Sequence, residues 1–157
     1  MSDEQIIERL KQDLGARALE LTHPDKRRIF LKVAPADLVS VAAVLRDAYD
    51  MAHLSTVSGV DKGATFEVVY HFASPVVNLN LRVEVPREAP RLPTICAVIP
   101  GAILYERELQ DMFGLTIENI PDPRPLVLPD GWPAGQFPLR KDWKYERPPE
   151  VIPGGKS

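Results

Sequence analysis

Nine of the chain's 16 prolines fall between Pro121 and Pro153, whereas only Pro24, Pro35 and Pro75 precede residue 86. Proline lacks a backbone N–H and has a locked φ, so a segment this rich in it forms neither a continuous helix nor an inner strand. The distribution divides the chain near residue 115, into a compact part over residues 1–114 and an extended, Pro-rich tail over residues 115–157. The tail is not low in complexity, because it carries Ile117, Ile120, Leu126, Val127, Leu128, Trp132, Phe137, Leu139, Trp143 and Tyr145. Disordered tails are poor in such residues. An apolar, proline-stiffened segment without periodicity of its own is expected to lie against something, since a stiff chain loses less entropy on docking. The stretch Pro153 to Ser157 reads as an untethered end.

The compact part shows clear periodicities. Ile6, Ile7, Leu10 and Leu14 predict a helix over Asp3 to Leu14, with Gly15 as its stop. Ala18 to Thr22 and Ile29 to Val33 predict two strands of a hairpin turning at His23-Pro24-Asp25-Lys26. Pro35 suits a first helical position, and Leu38, Val41, Ala42, Leu45, Ala48, Tyr49 and Ala52 form one helical stripe. Three strands follow, over Leu54 to Asp61, Thr65 to Phe72 and Val77 to Val85. In the last of these Val77, Leu79, Leu81, Val83 and Val85 face one side, and Asn78, Asn80, Arg82 and Glu84 the other. Such alternation describes a sheet with one wet face, usually antiparallel, with helices on the dry face. Arg87 to Gly101 is expected to be a structured connection. A last helix is expected over Ala102 to Phe113, with Tyr105, Leu109, Met112 and Phe113 on one face and Glu106, Arg107, Gln110 and Asp111 on the other. Arg107 and Asp111 could pair at i,i+4, and Gly114 suits a left-handed cap. No strand or helix is expected after Leu115. The fold class is α+β: a mostly antiparallel sheet with helices on one face, then the Pro-rich tail.

Function classes narrow by composition. A net charge of −3 argues against a nucleic-acid binder. The single Cys96 excludes an intramolecular disulfide and an all-cysteine cluster within this chain. Its apolar neighbours predict a buried, inert thiol, and sparse cysteine agrees with a reducing compartment. The acidic N-terminus does not read as a signal peptide, and no apolar run approaches the ~18 residues of a membrane span. Any membrane connection is therefore expected to run through a partner. His23, His53 and His71 have no metal-ligand spacing. Glu106, Glu108 and Asp111 could be read as an acid–base cluster, but with Arg107 interleaved they read better as a solvated or ion-paired face. Trp143 and Tyr145 lie among alternating charges from Arg140 onward, a composition that favours protein contact over phosphate binding.

Two stretches go further. Tyr105-Glu106-Arg107-Glu108-Leu109-Gln110-Asp111-Met112-Phe113-Gly114 resembles a signature found in respiratory complex I (NADH:quinone oxidoreductase). It is that of the C subunit family, the small hydrophilic subunit next to the quinone-site large subunit. Pro138-Leu139-Arg140-Lys141-Asp142-Trp143 resembles the family's second motif, and Leu128-Pro129-Asp130-Gly131-Trp132 resembles a third element between them. The chain departs from the complex I pattern at Ile120-Pro121-Asp122-Pro123-Arg124-Pro125 and at Gly135-Gln136-Phe137. There it looks more like the homologous subunit of energy-converting membrane-bound [NiFe] hydrogenases and formate hydrogenlyases. The resemblance implies a noncatalytic scaffold subunit of the peripheral arm, on the cytoplasmic face of the cell membrane, that holds no cofactor itself. Its partners would be a large subunit of hydrogenase or quinone-site type and neighbouring subunits bearing Fe–S clusters and a [NiFe] centre. Partner contact is expected from Tyr105, Glu106, Arg107, Glu108, Asp111, Leu126, Trp132, Phe137, Arg140, Lys141, Asp142 and Trp143. The alternatives are the C subunit of NADH:quinone oxidoreductase proper, a free-standing small enzyme, and a homo-oligomeric binding module. Some of the motif charges could instead pair within the chain and fix the tail onto its own helix.

Overall fold

The structure, a computed structural model, describes residues 2–146, so the expected untethered end from Pro153 lies outside the described residues. The first helix, α1 (Asp3–Leu14), starts in a capping box: the Ser2 hydroxyl accepts from the Gln5 N–H, and the Gln5 side chain accepts from the Ser2 N–H. Its buried Ile6, Leu10 and Leu14 are the stripe read from the sequence. The hairpin of β1 (Glu20–Asp25) and β2 (Arg28–Val33) is present, but its turn lies at Lys26-Arg27, and His23, Pro24 and Asp25 of the expected turn extend β1. Pro24 is tolerated in β1 because β1 is an edge strand. Arg27 takes a left-handed φ of 61°, and its side chain donates to the Val76 and Pro75 carbonyls at 2.8 and 2.9 Å. After a 3-10 turn at Pro35–Asp37, α2 (Leu38–Tyr49) ends where Asp50 turns left-handed, so the stripe residue Ala52 lies beyond it.

Strands β3 (His53–Asp61), β4 (Thr65–Ala73) and β5 (Asn78–Pro86) complete a five-stranded sheet ordered β1-β2-β5-β4-β3. All pairings are antiparallel except β2 with β5. The dry face carries Phe66, Val68, Tyr70 and Phe72 of β4 and Leu79, Leu81, Val83 and Val85 of β5, all buried in one core with residues of the three helices. The other face is a polar lattice. Arg82 donates to Glu67 at 2.8 Å, Lys32 to Glu84 at 2.7 Å, and His71 meets Asn80 at 2.7 Å and Ser58 at 3.0 Å.

A second, smaller sheet corrects the sequence reading. Strand β6 (Arg91–Pro93) pairs in parallel with β7 (Thr116–Glu118), and the helix α3 (Ile103–Phe113) connects them. Neither three-residue strand is long enough to show alternation in sequence. Leu92 and Ile117 bury their side chains in the core, so the compact unit continues past Leu115.

Helix α3 crosses β3 at Gly59. A Cβ built on Gly59 would lie 2.4 Å from the Phe113 ring and 3.0 Å from Leu109, both buried side chains. The close approach also brings Phe113 edge-on to Phe66, 6.0 Å between centroids. Gly59→Ala is expected to overpack this crossing and destabilise the chain by about 1–3 kcal/mol, read as a lower urea midpoint with an unchanged slope.

Candidate functional site

The tail is strapped along α3 and onto the end of the large sheet, and α3 supplies most of its bonding partners. In the sequence reading Asp111 lies on a solvated or ion-paired face, able to pair with Arg107 at i,i+4. It is instead buried, and one of its carboxylate oxygens accepts the consecutive N–H groups of Leu126, Val127 and Leu128 at 2.8, 2.7 and 3.2 Å. Arg107 turns the other way. It donates to the Arg124 and Pro125 carbonyls at 2.8 and 3.1 Å and meets Asp122 at 3.4 Å. The two residues thus clamp residues 122–128 between them and do not pair with each other.

Glu106 is a second correction, being fully buried rather than solvated. It accepts from the Thr94 hydroxyl, from the Ile95 N–H at 2.9 Å and from the Cys96 thiol at 3.2 Å. Burial raises its pKa, and the three donors partly oppose that shift. Cys96 is buried as expected, and burial pushes its thiol up to about 11. Glu106 therefore ties the Thr94–Cys96 loop to α3. Its spacing from Leu109 and Phe113, three and seven residues on, is the helical signal of an inward position.

The end of α3 is capped by the strap. Gly114 takes a left-handed φ of 71°, and its N–H donates to the Gln110 carbonyl. The Met112 carbonyl accepts from the Leu139 N–H at 3.1 Å, and the Phe113 carbonyl from Arg140 Nε at 2.7 Å. Two of the carbonyls a helix end leaves unmatched are thereby satisfied from 25 or more residues downstream. The Phe137 ring lies where a Gly114 Cβ would be, 2.4 Å from it. The Arg140 guanidinium is stacked between Phe137 and Phe66, 4.5 and 5.0 Å from the ring centroids.

The strap then reaches the sheet. Buried Asp61, at the end of β3, accepts from the Lys141 N–H at 2.9 Å, the Gly63 N–H at 2.9 Å and Arg87 at 2.8 Å. Arg87 also donates to Asp142 at 2.7 Å. Burial would raise the Asp61 pKa, but these donors prevail and hold it at about 2. Neither Asp61 nor Arg87 stands out in sequence, because their link to Asp142 spans 55 residues or more. Beyond it, Trp132 and Trp143 both donate to Gln136 and lie 6.1 Å apart.

The twelve residues singled out from sequence are thus split. Tyr105, which donates to the Ser55 carbonyl, joins Glu106, Arg107, Asp111, Phe137 and Arg140 in building the frame. Trp132 and Trp143 are half-buried against each other. Glu108, Leu126, Lys141 and Asp142 are exposed. The frame also presents apolar side chains that were not singled out as partner contacts: Leu104 on α3, Val127, Leu139 and Tyr145, each at least half exposed. Among the described residues no group of three His, Cys, Asp or Glu is placed to hold a metal ion.

Comparison with known proteins then identifies the motif-bearing frame. The family described as the respiratory-chain NADH dehydrogenase, 30 kDa subunit, matches residues 31–149. The chain belongs to this family. It is 40% identical over 109 residues to the C subunit of F(420)H(2) dehydrogenase from Methanosarcina mazei, covering 66% of this chain and 68% of that one. It is 40% identical over 120 residues to the C subunit of NADH-quinone oxidoreductase from Xanthobacter autotrophicus, covering 72% of this chain and 56% of the relative. Over 64 residues, 41% of this chain, it is 47% identical to formate hydrogenlyase subunit 5 of Escherichia coli, spanning only 11% of that protein. The chain therefore spans about half to two thirds of the length of these dehydrogenase and oxidoreductase relatives. In fold it is similar to a chain of the membrane-bound sulfane sulfur reductase, an archaeal respiratory membrane complex. That match has a TM-score of 0.80 at 22% identity, over 90% of this chain and 85% of the other. A trypsin-resistant fragment of Nqo5 matches with a TM-score of 0.64 at 24% identity, over 78% of this chain and 99% of the fragment.

Two outcomes test the frame. Both tryptophans of the chain lie in the strap, so intrinsic fluorescence reports on it. Asp111→Ala and Gly114→Ala are each expected to red-shift the emission while leaving far-UV circular dichroism in place; unshifted emission would mean the strap is held elsewhere. Asp61 has a folded pKa of about 2, below its ordinary 3.8, so its stabilising charge is fully present above the latter and is lost as pH falls through the former. The gap in urea midpoint between the unaltered chain and Asp61→Asn should be widest near neutral pH and close as the solution is acidified. A gap independent of pH would show that the Asp61 charge does not hold the strap.

Proposed function

We propose that the chain is a noncatalytic assembly subunit in the peripheral arm of a complex I-like, membrane-bound oxidoreductase, where it docks on the large subunit. The observation that carries this reading is the use of the α3 and strap residues. Their polar groups are largely consumed internally, by Asp111, Arg107, Glu106 and Asp61, while Leu104, Leu126, Val127, Leu139 and Tyr145 are held outward on that frame. Exposed apolar side chains on a support held by hydrogen bonds suit a protein interface, because less ordering cost remains to be met on binding. The chemistry-bearing groups support the same reading. Glu106 and Cys96 are committed to a structural hydrogen-bond cluster, and His71 to a polar lattice between strands. No helix of the described residues is long and apolar enough to cross a membrane, which accords with attachment through partner subunits; the cytoplasmic face is part of the proposal.

The branch we favour is the energy-converting hydrogenase type, in which Fe–S clusters and a [NiFe] centre reside in partner subunits. The departures at Ile120–Pro125 and Gly135–Phe137 support it, as does the 47% identity to formate hydrogenlyase subunit 5. A quinone-type large subunit is the second reading, favoured by the longer matches to the F(420)H(2) dehydrogenase and NADH-quinone oxidoreductase subunits.

The test is affinity purification of the tagged chain from gently solubilised membranes, with mass spectrometry and metal analysis. Recovery of a hydrogenase-like large subunit with iron and nickel is the expected result. Iron without nickel, beside dehydrogenase subunits, would move the chain to the quinone-type branch, and elution of the chain alone would overturn the assembly role. Leu126→Asp combined with Val127→Asp should lower recovery of the large subunit at least tenfold, a change of about 1.4 kcal/mol or more, with the thermal midpoint of the isolated chain unchanged.

A further inference from the structure

Arg140 occupies the most crowded junction of the strap, yet most of its hydrogen-bonding capacity is unused. A guanidinium carries five N–H donors. The one on Nε serves the Phe113 carbonyl, and the four on the two terminal nitrogens meet no acceptor among the described residues. The neighbouring carboxylates are already engaged. Asp61 takes Arg87 and the N–H groups of Gly63 and Lys141, and Asp142 takes Arg87. Burial, and then the nearby Arg87 guanidinium, lower the pKa of Arg140; Asp142 and Asp61 oppose that shift from a distance, but neither carboxylate is hydrogen-bonded to it, both being held by Arg87. Arg107 makes the contrast, since each of its three guanidinium nitrogens meets a partner: two carbonyls and Asp122.

Arg140 lines a shallow, polar cleft of about 350 Å³ together with Gln136, Phe137, Asp142, Trp143 and Lys144. Lys144 adds a second positive charge to its wall, and Asp142 shares the Arg87 guanidinium with Asp61. Phe66 and Phe137 hold the guanidinium in place, so little freedom remains to be lost on binding. A fixed guanidinium with its terminal nitrogens unpaired matches the two oxygens of a carboxylate. A multiply charged phosphate fits less well, because Asp142 lines the same cleft.

We infer that this cleft is a receptor for one carboxylate side chain of the large subunit, held by Arg140 with Lys144 alongside. The inference rests on the docking role proposed above and specifies its chemistry. Arg140 then acts twice: inward through Nε as a cap of α3, and outward through its terminal nitrogens as the partner's counter-ion.

The experiment uses the tagged chain carrying Arg140→Lys in its assembled complex, treated with a zero-length carbodiimide that joins an amine to a carboxylate with loss of water. Mass spectrometry is expected to find the substituted position joined to an aspartate or glutamate of the large subunit. A bond to Glu146 or Glu150 would make the chain's own tail the occupant and overturn the inference. So would coupling at Lys141 and Lys144 with none at position 140. The unaltered chain gives a second measurement, in case that variant assembles poorly. Arg140 should react with phenylglyoxal in the isolated chain and be protected at least fivefold in the complex, with exposed Arg28 of β2, outside α3 and the strap, as the reference. Equal reactivity in both would overturn the inference while leaving the docking role intact. If the unaltered chain brings down no large subunit, the docking role itself has failed, and the inference falls with it.

Discussion

A proline-rich segment has few donors to offer and no repeating pattern in which to pair its carbonyls, so its order must come from elsewhere. Here α3 provides it. Arg107 takes carbonyls of the strap, Asp111 takes three of its N–H groups, and the carbonyls at the helix end take Leu139 and Arg140. The exchange is reciprocal, because the strap is also the cap that α3 lacks within its own turn. Gly114 makes this possible twice over, by turning the chain left-handed and by leaving room for Phe137.

The large sheet positions this assembly without sharing its surface. Its dry face accepts the helices, and α3 can lie close to β3 because Gly59 has no side chain to hold it off. Its polar face neutralises itself across strands, with Glu67, Arg82, Glu84 and Lys32 paired rather than left as a charged field. The end of β3 is where the two systems meet. Asp61 binds the strap's backbone and Arg87 together, and Arg87 carries the link on to Asp142. Half of the motif residues that could pass for partner contacts are therefore internal fasteners, and the frame they build leaves several apolar side chains exposed.

Much of the fold was legible because it is locally encoded. The α1 stripe of Ile6, Leu10 and Leu14, and the β5 alternation from Leu79 to Val85, follow from periodicity alone. Of the site, only the segments that build it, α3 and the tail, were legible. Motif and composition pick out twelve residues but not their directions. Glu106 and Asp111 read as solvent-facing charges and are buried, because acceptors for the Thr94–Cys96 loop and for residues 126–128 are needed there. Asp61 and Arg87 carry no signal in sequence, since a contact spanning dozens of residues leaves no local trace.

By itself, the sequence determined the α+β class, the order of the long elements, the two faces of the sheet and the family, all properties carried by local spacing and contiguous motifs. Tertiary structure alone decided the parallel β6–β7 pair, the course of the strap and the division of motif charges between internal clamps and, at Arg140, terminal nitrogens that meet no acceptor among the described residues. The physical reason is the same in each case. A charge or a short strand has no preferred partner until the chain folds, and its role is set by which unmatched backbone groups come within hydrogen-bonding reach.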